Sequence, residues 1–256
     1  MTDLPHNRFK AGIASGVCQI GLWTSLPGTV PIEILSGAGF DWLVLDTEHA
    51  PGDPLTVLPQ LQTMVPHATA PVVRPAWNDK VLIKRFLDLG AQTLLIPYVQ
   101  TPQEAEDAVA AMRYPPRGIR GVAGAVRASD YGRVPDYILR AEEELCLIVQ
   151  VETAEALDRL PEIASVDGVD AVFIGPADLS ASMGHPGDQS HPDVVAAIEG
   201  AISGLVKLGV PAGILTGDPD FARRCIDLGA LFVAVGSDAG LMSKAAHQLS
   251  TEFSQT

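Results

Sequence analysis

The sequence is poor in basic residues. Its 256 residues include 17 Lys and Arg against 31 Asp and Glu, which gives a formal net charge of −14 at pH 7. This balance argues against a nucleic-acid-binding protein and against binding to an anionic membrane, because both need basic surfaces. A small anionic substrate is still allowed, since the field inside one site can differ in sign from the net charge.

Cysteines and long apolar runs are also scarce. Cys18, Cys146 and Cys225 lie far apart, and no pair has the spacing of a metal or redox motif. No apolar run approaches the length of a membrane span, and the first ten residues lack the apolar core of a signal peptide. We therefore expect buried, reduced thiols in a soluble, cytoplasmic protein.

Short apolar runs alternate with helical patterns along the chain. The runs that predict buried parallel strands are QIGLW, DWLVLD, APVVRP, TLLIPYV, CLIVQVE, DAVFIG, PAGILT and LFVAVG. Eight such units, each followed by a helical pattern, predict an α/β fold of the (β/α)8 TIM-barrel type. A doubly wound open sheet is the alternative. No linker divides residues 1–256, so we expect a single domain.

One segment interrupts this alternation. Residues 114–137 are rich in glycine and include four arginines, Arg117, Arg120, Arg127 and Arg133. A long loop in a compact domain is typically functional, but a solvated surface excursion explains this one equally well.

Polar residues gather at the predicted C-terminal ends of the strands, where barrel enzymes place their active sites. They are Asp46, Glu48, His49, Arg74, Gln150, Glu152, Asp178, Ser237 and Asp238. Each has an ordinary structural explanation when taken alone, such as a helix cap or an ion pair. Together they indicate a polar site at one end of the barrel.

Glu152 and Asp178 follow neighbouring strands. Two carboxylates that face one another share either a proton or a cation, and hard divalent ions prefer oxygen ligands. An acid/base pair for glycoside hydrolysis is the alternative. It explains Arg74 and Gln150 less well, and the aromatic content of 5% is low for a sugar-binding site.

Two further features bear on the chemistry. The five lysines lie in helical patterns or near the N-terminus, so no Schiff-base lysine is expected and a metal is the better electron sink. In IGPADLS, the amides of Ala177 and Asp178 stand at the start of a turn or helix, where they can bind a carboxylate. VGSDAG could do the same, or form only a capped turn.

Several motifs in order, DTEHAP, PVVRPAWND, VQVET, IGPADLS and GALFVAVGSD, resemble the HpcH/HpaI aldolase family. These are metal-dependent pyruvate aldolases such as 4-hydroxy-2-oxoheptanedioate aldolase and 2-dehydro-3-deoxyglucarate aldolase. The resemblance runs from about residue 19 to residue 249. It implies reversible aldol cleavage of 4-hydroxy-2-oxo acids to pyruvate, or hydroxypyruvate, and an aldehyde.

The resemblance also implies ligands and substrate contacts. Glu152 and Asp178 would hold a divalent ion, Mg²⁺, Mn²⁺ or Co²⁺, and no nucleotide is expected. Gln150 would contact the substrate. The amides of Ala177 and Asp178 would hold the pyruvate carboxylate.

The remaining roles that the resemblance implies are catalytic. Arg74 would stabilise the enolate oxygen, and His49 would act as general base or acid. Asp88 would support His49, and Asp46 would orient the site or a metal-bound water.

The same resemblance implies a homo-oligomer, a trimer of dimers in which the last helix is exchanged between barrels. An acyl-CoA lyase of related barrel type and a non-catalytic oxo-acid-binding protein are the alternatives. Two loops depart from the family pattern, TSLPGTVP and GVAGAVRASDYG. We expect both to lie near the mouth of the site, where they bear on the choice of aldehyde.

Overall fold

Eight parallel strands close into a barrel in the computed structural model, which describes residues 3–254. The strands are β1 (Gln19–Thr24), β2 (Trp42–Asp46), β3 (Ala70–Arg74), β4 (Thr93–Ile96), β5 (Cys146–Val151), β6 (Ala171–Ile174), β7 (Ala212–Leu215) and β8 (Phe232–Ser237). They follow chain order around the ring, and β8 pairs with β1. The predicted barrel is confirmed in all eight strands, and the doubly wound alternative is wrong.

Helices surround the barrel. They are α1 (Arg8–Ala14), α2 (Val30–Ser36), α3 (Pro54–Met64), α4 (Lys80–Asp88), α5 (Pro102–Met112), α6 (Tyr137–Arg140), α7 (Ala154–Asp158), α8 (Leu160–Ala164), α9 (Pro176–Ser182), α10 (Pro192–Leu208), α11 (Pro219–Asp227) and α12 (Asp238–Ser254). The pattern between β5 and β6 predicts one helix, but two form, because Pro161 cannot continue the hydrogen bonding of α7. None of the helices in residues 3–254 combines the length and apolarity needed to cross a membrane.

Aromatic side chains fill the N-terminal end of the barrel. Helix α1, which the sequence pattern did not predict, places Phe9 there, with its ring centroid 5.7 Å from that of Trp42 and 5.5 Å from that of Phe232. Gln19 Nε2 donates to the carbonyl of Phe9 at 3.0 Å. Because α1 closes this end, the site is left to the opposite end of the barrel.

The alternation of side chains along each strand determines which residues face the interior at the C-terminal end of the barrel. Every second strand residue points into the barrel, and these inward positions are apolar over most of their length. At the C-terminal ends they become polar. Asp46 and Arg74 are paired in register on β2 and β3, while Gln150 ends the inward series of β5 and Glu152 follows it.

The arginine-rich segment lies at the other end of the barrel. It follows α5 and leads into β5, so it returns the chain to the N-terminal ends of the strands. Arg127 Nη1 donates to the carbonyl of Leu89 at 2.6 Å, which holds the segment against the turn between α4 and β4. The expectation that GVAGAVRASDYG lines the mouth of the site in its own chain is therefore wrong. The loop TSLPGTVP does follow the C-terminal end of β1, as expected.

Helix α12 packs little against its own barrel. Asp238 is its one buried residue, and Leu241, Met242, Leu249 and Phe253 are each more than half exposed. Apolar side chains left this exposed on one helix are compatible with exchange of the helix between subunits, which stays a prediction.

Packing inside the barrel can be tested at Gly213. A Cβ at this position would overlap the ring of Phe232. Gly213→Ala should lower the free energy of unfolding by about 1–3 kcal/mol, measured by urea denaturation. Gly200→Ala on α10 is the control, because a Cβ there meets nothing within 4 Å and should stabilise the helix by up to about 1 kcal/mol. Equal midpoints for the two variants would contradict the packing.

Candidate active site

Arg74 is the central cation at the C-terminal end of the barrel. Its Nε and Nη2 donate to the two carboxylate oxygens of Asp46 at 2.8 and 2.7 Å. Its Nη1 lies 2.7 Å from Glu48 Oε2, an ion-pair contact without hydrogen-bond alignment. Only 5% of Arg74 is exposed. Two carboxylates thus neutralise a buried guanidinium and fix its plane.

Trp23 completes the support of this arginine. Its ring centroid lies 4.7 Å from the guanidinium carbon of Arg74, and its Nε1 donates to Asp46 Oδ2 at 3.2 Å. Burial by itself would raise the pKa of Asp46, but the hydrogen bonds and charge of Arg74 outweigh it, so this pKa lies below its ordinary value. Asp46 is therefore ionised at neutral pH and keeps Arg74 in place.

Glu152 is the most buried acid of the site, with 2% of the residue exposed. Its Oε1 accepts the backbone N–H of Tyr98 at 2.9 Å, and its Oε2 accepts Gln150 Nε2 at 2.5 Å. Burial raises the pKa of Glu152 to about 7, and the charges of Asp178 and Glu48 act in the same direction. Two donors thus bind the carboxylate in a buried environment that disfavours its ionised form.

A divalent cation fits this set of atoms. Burial also raises the pKa of Glu48; the charges of Arg74 and His49 oppose this rise, and those of Asp46 and Asp178 add to it. Gln150 Oε1 is buried and has no hydrogen-bond donor among residues 3–254. Neighbouring carboxylates raise the pKa of Glu152 and of Glu48, and an unpartnered amide oxygen lies beside them, so the group is rich in oxygen atoms that can bind a cation.

Helix α9 brings Ala177 and Asp178 to the same end of the barrel. Pro176 begins the helix, and the amides of Ala177 and Asp178 belong to its first turn, where no preceding helical carbonyl is available. Both residues are exposed. A Cβ at Gly175 would overlap Glu152 Oε2 and lie 3.0 Å from Gln150 Nε2. Glycine is therefore required where α9 meets β5.

The predicted catalytic pair is not brought together within one chain. His49 is exposed in the loop after β2, and its side chain forms no hydrogen bond or ion pair with any residue of 3–254. Asp88 ends α4 at the other end of the barrel, where Arg120 Nη2 donates to its Oδ1 at 2.9 Å. A contact between Asp88 and His49 would therefore require a second subunit.

The four arginines of the 114–137 segment do not form a free basic patch. Arg120 pairs with Asp88, Arg117 with Glu142 and Arg133 with Asp130, while Arg127 bonds a backbone carbonyl. Their charges are directed to neighbouring groups of the chain rather than to a common surface.

The end of β8 has a structural role. The carboxylate of Asp238 accepts the backbone N–H groups of Ser25 and Leu26 at 2.9 and 3.0 Å, and Ser237 Oγ accepts the N–H of Gly240. Asp238 therefore orders the loop after β1. VGSDAG forms a capped turn, the second of the two alternatives considered for it.

Sequence reasoning left some members of the site without a role. Glu48 was collected from DTEHAP but not assigned, although its place between Asp46 and His49 was a usable signal. Gly175 precedes the PADLS motif, and its small size was a weaker signal. No sequence signal indicated the Tyr98 amide, because only the fold brings this backbone donor to Glu152.

Comparison with known proteins agrees with this geometry. A model of the HpcH/HpaI aldolase/citrate lyase family matches residues 19–245. A pyruvate aldolase of Rhizobium etli is 60% identical over 251 residues, 98% of this chain and 99% of that protein. A 4-hydroxy-2-oxo-heptane-1,7-dioate aldolase of Klebsiella pneumoniae is 55% identical over 249 residues, 97% and 94% of the two chains.

A solved structure shows the same fold. The crystal structure of an HpcH/HpaI aldolase/citrate lyase family protein from Burkholderia cenocepacia J2315 matches with a TM-score of 0.93 at 40% identity, over 96% of this chain and 99% of that one. Fold, site and relatives thus define a (β/α)8-barrel enzyme of the aldolase class, a carbon–carbon lyase. The chain belongs to the HpcH/HpaI aldolase/citrate lyase family, as the motifs predict.

The pKa of Glu152 can be tested through stability. In the metal-free protein it lies near 7 when folded and near 4.5 when unfolded. The unfolded chain therefore ionises first as the pH rises, and the stability that Glu152 contributes at low pH is lost by about pH 7. Relative to Glu152→Gln, the wild type should lose about 3 kcal/mol between pH 4.5 and 8, measured by urea unfolding. Parallel pH profiles for the two proteins would contradict the assignment.

Proposed function

We propose that this enzyme cleaves 4-hydroxy-2-oxo acids reversibly into pyruvate, or hydroxypyruvate, and an aldehyde, with the help of a divalent metal ion. The observation that carries the proposal is the placement of the buried acid Glu152 and the buried guanidinium of Arg74 at the same end of one barrel. An anionic oxo acid needs both a cation and a fixed donor to stabilise the enolate. The names of the two similar aldolases support this substrate class.

The metal ion would be held by Glu152 and Asp178, with Gln150 contacting the substrate beside it. Carboxylate ligands suit Mg²⁺ and Mn²⁺, and Co²⁺ is also accepted by oxygen-rich sites. When bound, the ion supplies Lewis-acid polarisation of the keto group. The first-turn amides of Ala177 and Asp178 bind the carboxylate of the oxo acid.

Arg74 stabilises the oxygen that becomes negative during cleavage. Asp46 accepts the Nε–H and one hydrogen of Nη2, and Glu48 Oε2 lies 2.7 Å from Nη1. A guanidinium has five N–H hydrogens, so the second Nη2 hydrogen is left to bind the keto oxygen of the substrate. The guanidinium is already fixed by Asp46 and Glu48, so it does not need to reorganise during the reaction.

His49 takes the proton of the 4-hydroxyl as the C3–C4 bond breaks, and the pyruvate enolate then accepts a proton at C3. Its exposed position at the mouth is suited to a substrate that enters from solvent. Support of His49 by Asp88 would come from a second subunit, which agrees with the proposed trimer of dimers. The three free cysteines are compatible with the proposed cytoplasmic location.

The alternatives are less well supported. An acyl-CoA lyase would need a free basic surface for the nucleotide, but the arginines of the 114–137 segment are bonded to other groups of their own chain. A non-catalytic oxo-acid-binding protein would need no base at the mouth, where His49 stands.

Metal dependence is the first test of the proposal. Removal of metal by a chelator should abolish pyruvate release from 4-hydroxy-2-oxo acids, and Mg²⁺, Mn²⁺ or Co²⁺ should restore it. A screen of aldehydes with pyruvate and hydroxypyruvate as donors, read by chromatography, would give the preferred substrates. Borohydride should trap no adduct on the protein, and a lysine adduct in active enzyme would overturn the mechanism.

Variants separate the roles of the arginine and the histidine. Arg74→Lys should slow both proton exchange at C3 of pyruvate and aldol cleavage by roughly 100-fold or more, because both reactions form the same oxyanion. His49→Ala should slow cleavage by about 100-fold to 10,000-fold and affect exchange less. His247→Ala on α12 is the control and should retain both rates. Cleavage by His49→Ala at the wild-type rate would exclude His49 as the base.

A further inference from the structure

A second group of possible metal ligands lies in the turn after α9 and in the first turn of α10. Asp193 Oδ2 is 3.9 Å from His185 Nε2 and 3.8 Å from His191 Nδ1. The two imidazoles are stacked, with ring centroids 3.5 Å apart. In residues 3–254 this is the one group of three or more His, Cys, Asp or Glu residues whose ligand atoms lie within 4.8 Å of one another.

We infer that His185, His191 and Asp193 form a second metal site, distinct from the carboxylate site at the barrel mouth, that takes a transition-metal ion of the Zn²⁺, Ni²⁺ or Co²⁺ type. Ligands 2.0–2.2 Å from a zinc ion are separated from one another by roughly 3–4 Å, a range that includes the distances from Asp193 Oδ2 to the two imidazoles. Two imidazoles and one carboxylate leave a fourth position for water.

Backbone hydrogen bonds order the turn that carries His185. The N–H of His185 donates to the carbonyl of Ser180 at 2.8 Å, and the N–H of Asp188 donates to the carbonyl of His185 at 3.0 Å. Gly184 and Gly187 adopt φ values of 86° and 82°, a left-handed conformation that glycine tolerates without strain. The ligands therefore come from an ordered turn, which limits the entropy lost on binding.

Metal binding requires two local changes. One ion cannot lie in the planes of two rings stacked at 3.5 Å, so one imidazole must rotate. The side chains of His185 and His191 are 28% and 32% exposed, which leaves room for that rotation. His191 Nδ1 also accepts the N–H of Asp193 as the N-cap of α10, and an ion at this nitrogen would replace that hydrogen bond.

The ligand chemistry separates the two sites. Imidazole nitrogen favours Zn²⁺, Ni²⁺ and Co²⁺, whereas the oxygen ligands of Glu152 and Asp178 favour Mg²⁺ and Mn²⁺. An ion on His185 and His191 would join the turn to the first turn of α10, directly after the helix that carries Asp178. The second site would thus stabilise the connection behind the catalytic one without entering the reaction.

The test is the number of Zn²⁺ ions bound by untagged, chelator-treated protein, measured by calorimetry at pH 7.5. Wild type should bind two equivalents, and Glu152→Gln should bind one. His185→Asn combined with His191→Asn should also bind one, while the asparagine at position 191 keeps the capacity to cap α10. His67→Asn combined with His247→Asn is the matched control and should bind two.

Each outcome decides one site. If the His185/His191 double variant binds as much Zn²⁺ as wild type, the second site is excluded. If Glu152→Gln binds as much as wild type while the double variant loses one equivalent, the second site stands and the catalytic ligand assignment fails. In the Glu152→Gln background, Zn²⁺ should raise the melting temperature and Mg²⁺ should not. A Zn²⁺-induced rise that persists after both histidines are replaced would also contradict the inference.

Discussion

The pairing of Arg74 with Asp46 is the interaction on which the site depends. The two residues stand in register on neighbouring strands and make two parallel hydrogen bonds, so a guanidinium that is 5% exposed keeps a partner of opposite charge. Breaking such a buried pair would leave an uncompensated charge, which is strongly destabilising. Trp23 covers the pair from β1 and donates to the same carboxylate. The plane of the guanidinium is therefore set by the barrel before any substrate arrives.

This pairing also determines which carboxylates of the site the guanidinium leaves without a counter-charge. Asp46 and Glu48 already contact the guanidinium, so it cannot neutralise Glu152 and Asp178 as well. Burial raises the pKa of Glu152, and that surplus of acids adds to the rise. A proton or a cation must make up the difference, and the unpartnered oxygen of Gln150 makes a cation the better complement. The same electrostatics thus explain the raised pKa of Glu152 and the fit of the proposed divalent ion to this end of the barrel.

The two ends of the barrel are specialised differently. At the N-terminal end, Phe9 closes the interior, and the fully buried side chain of Arg120 is paired with Asp88 and stacked on Tyr114. The charge of Arg120 is thus held in an ion pair at this end. At the C-terminal end, the strands finish in polar side chains and α9 begins with free amides. A role for Asp88 in catalysis would join the two kinds of end across a subunit boundary.

The sequence by itself determined the barrel and the composition of the site. Period-two alternation and apolar runs identify eight strands, and the last inward residues of β2, β3 and β5 can be read directly from the chain as Asp46, Arg74 and Gln150. Only the tertiary structure decided which polar groups meet. Glu48 contacts Arg74, the Tyr98 amide donates to Glu152, and Asp88 pairs with Arg120. None of these contacts can be predicted from local sequence. They depend on strand register and on the end of the barrel at which each loop lies. Local patterns report which face a residue occupies, whereas distances between elements follow from the closure of the barrel.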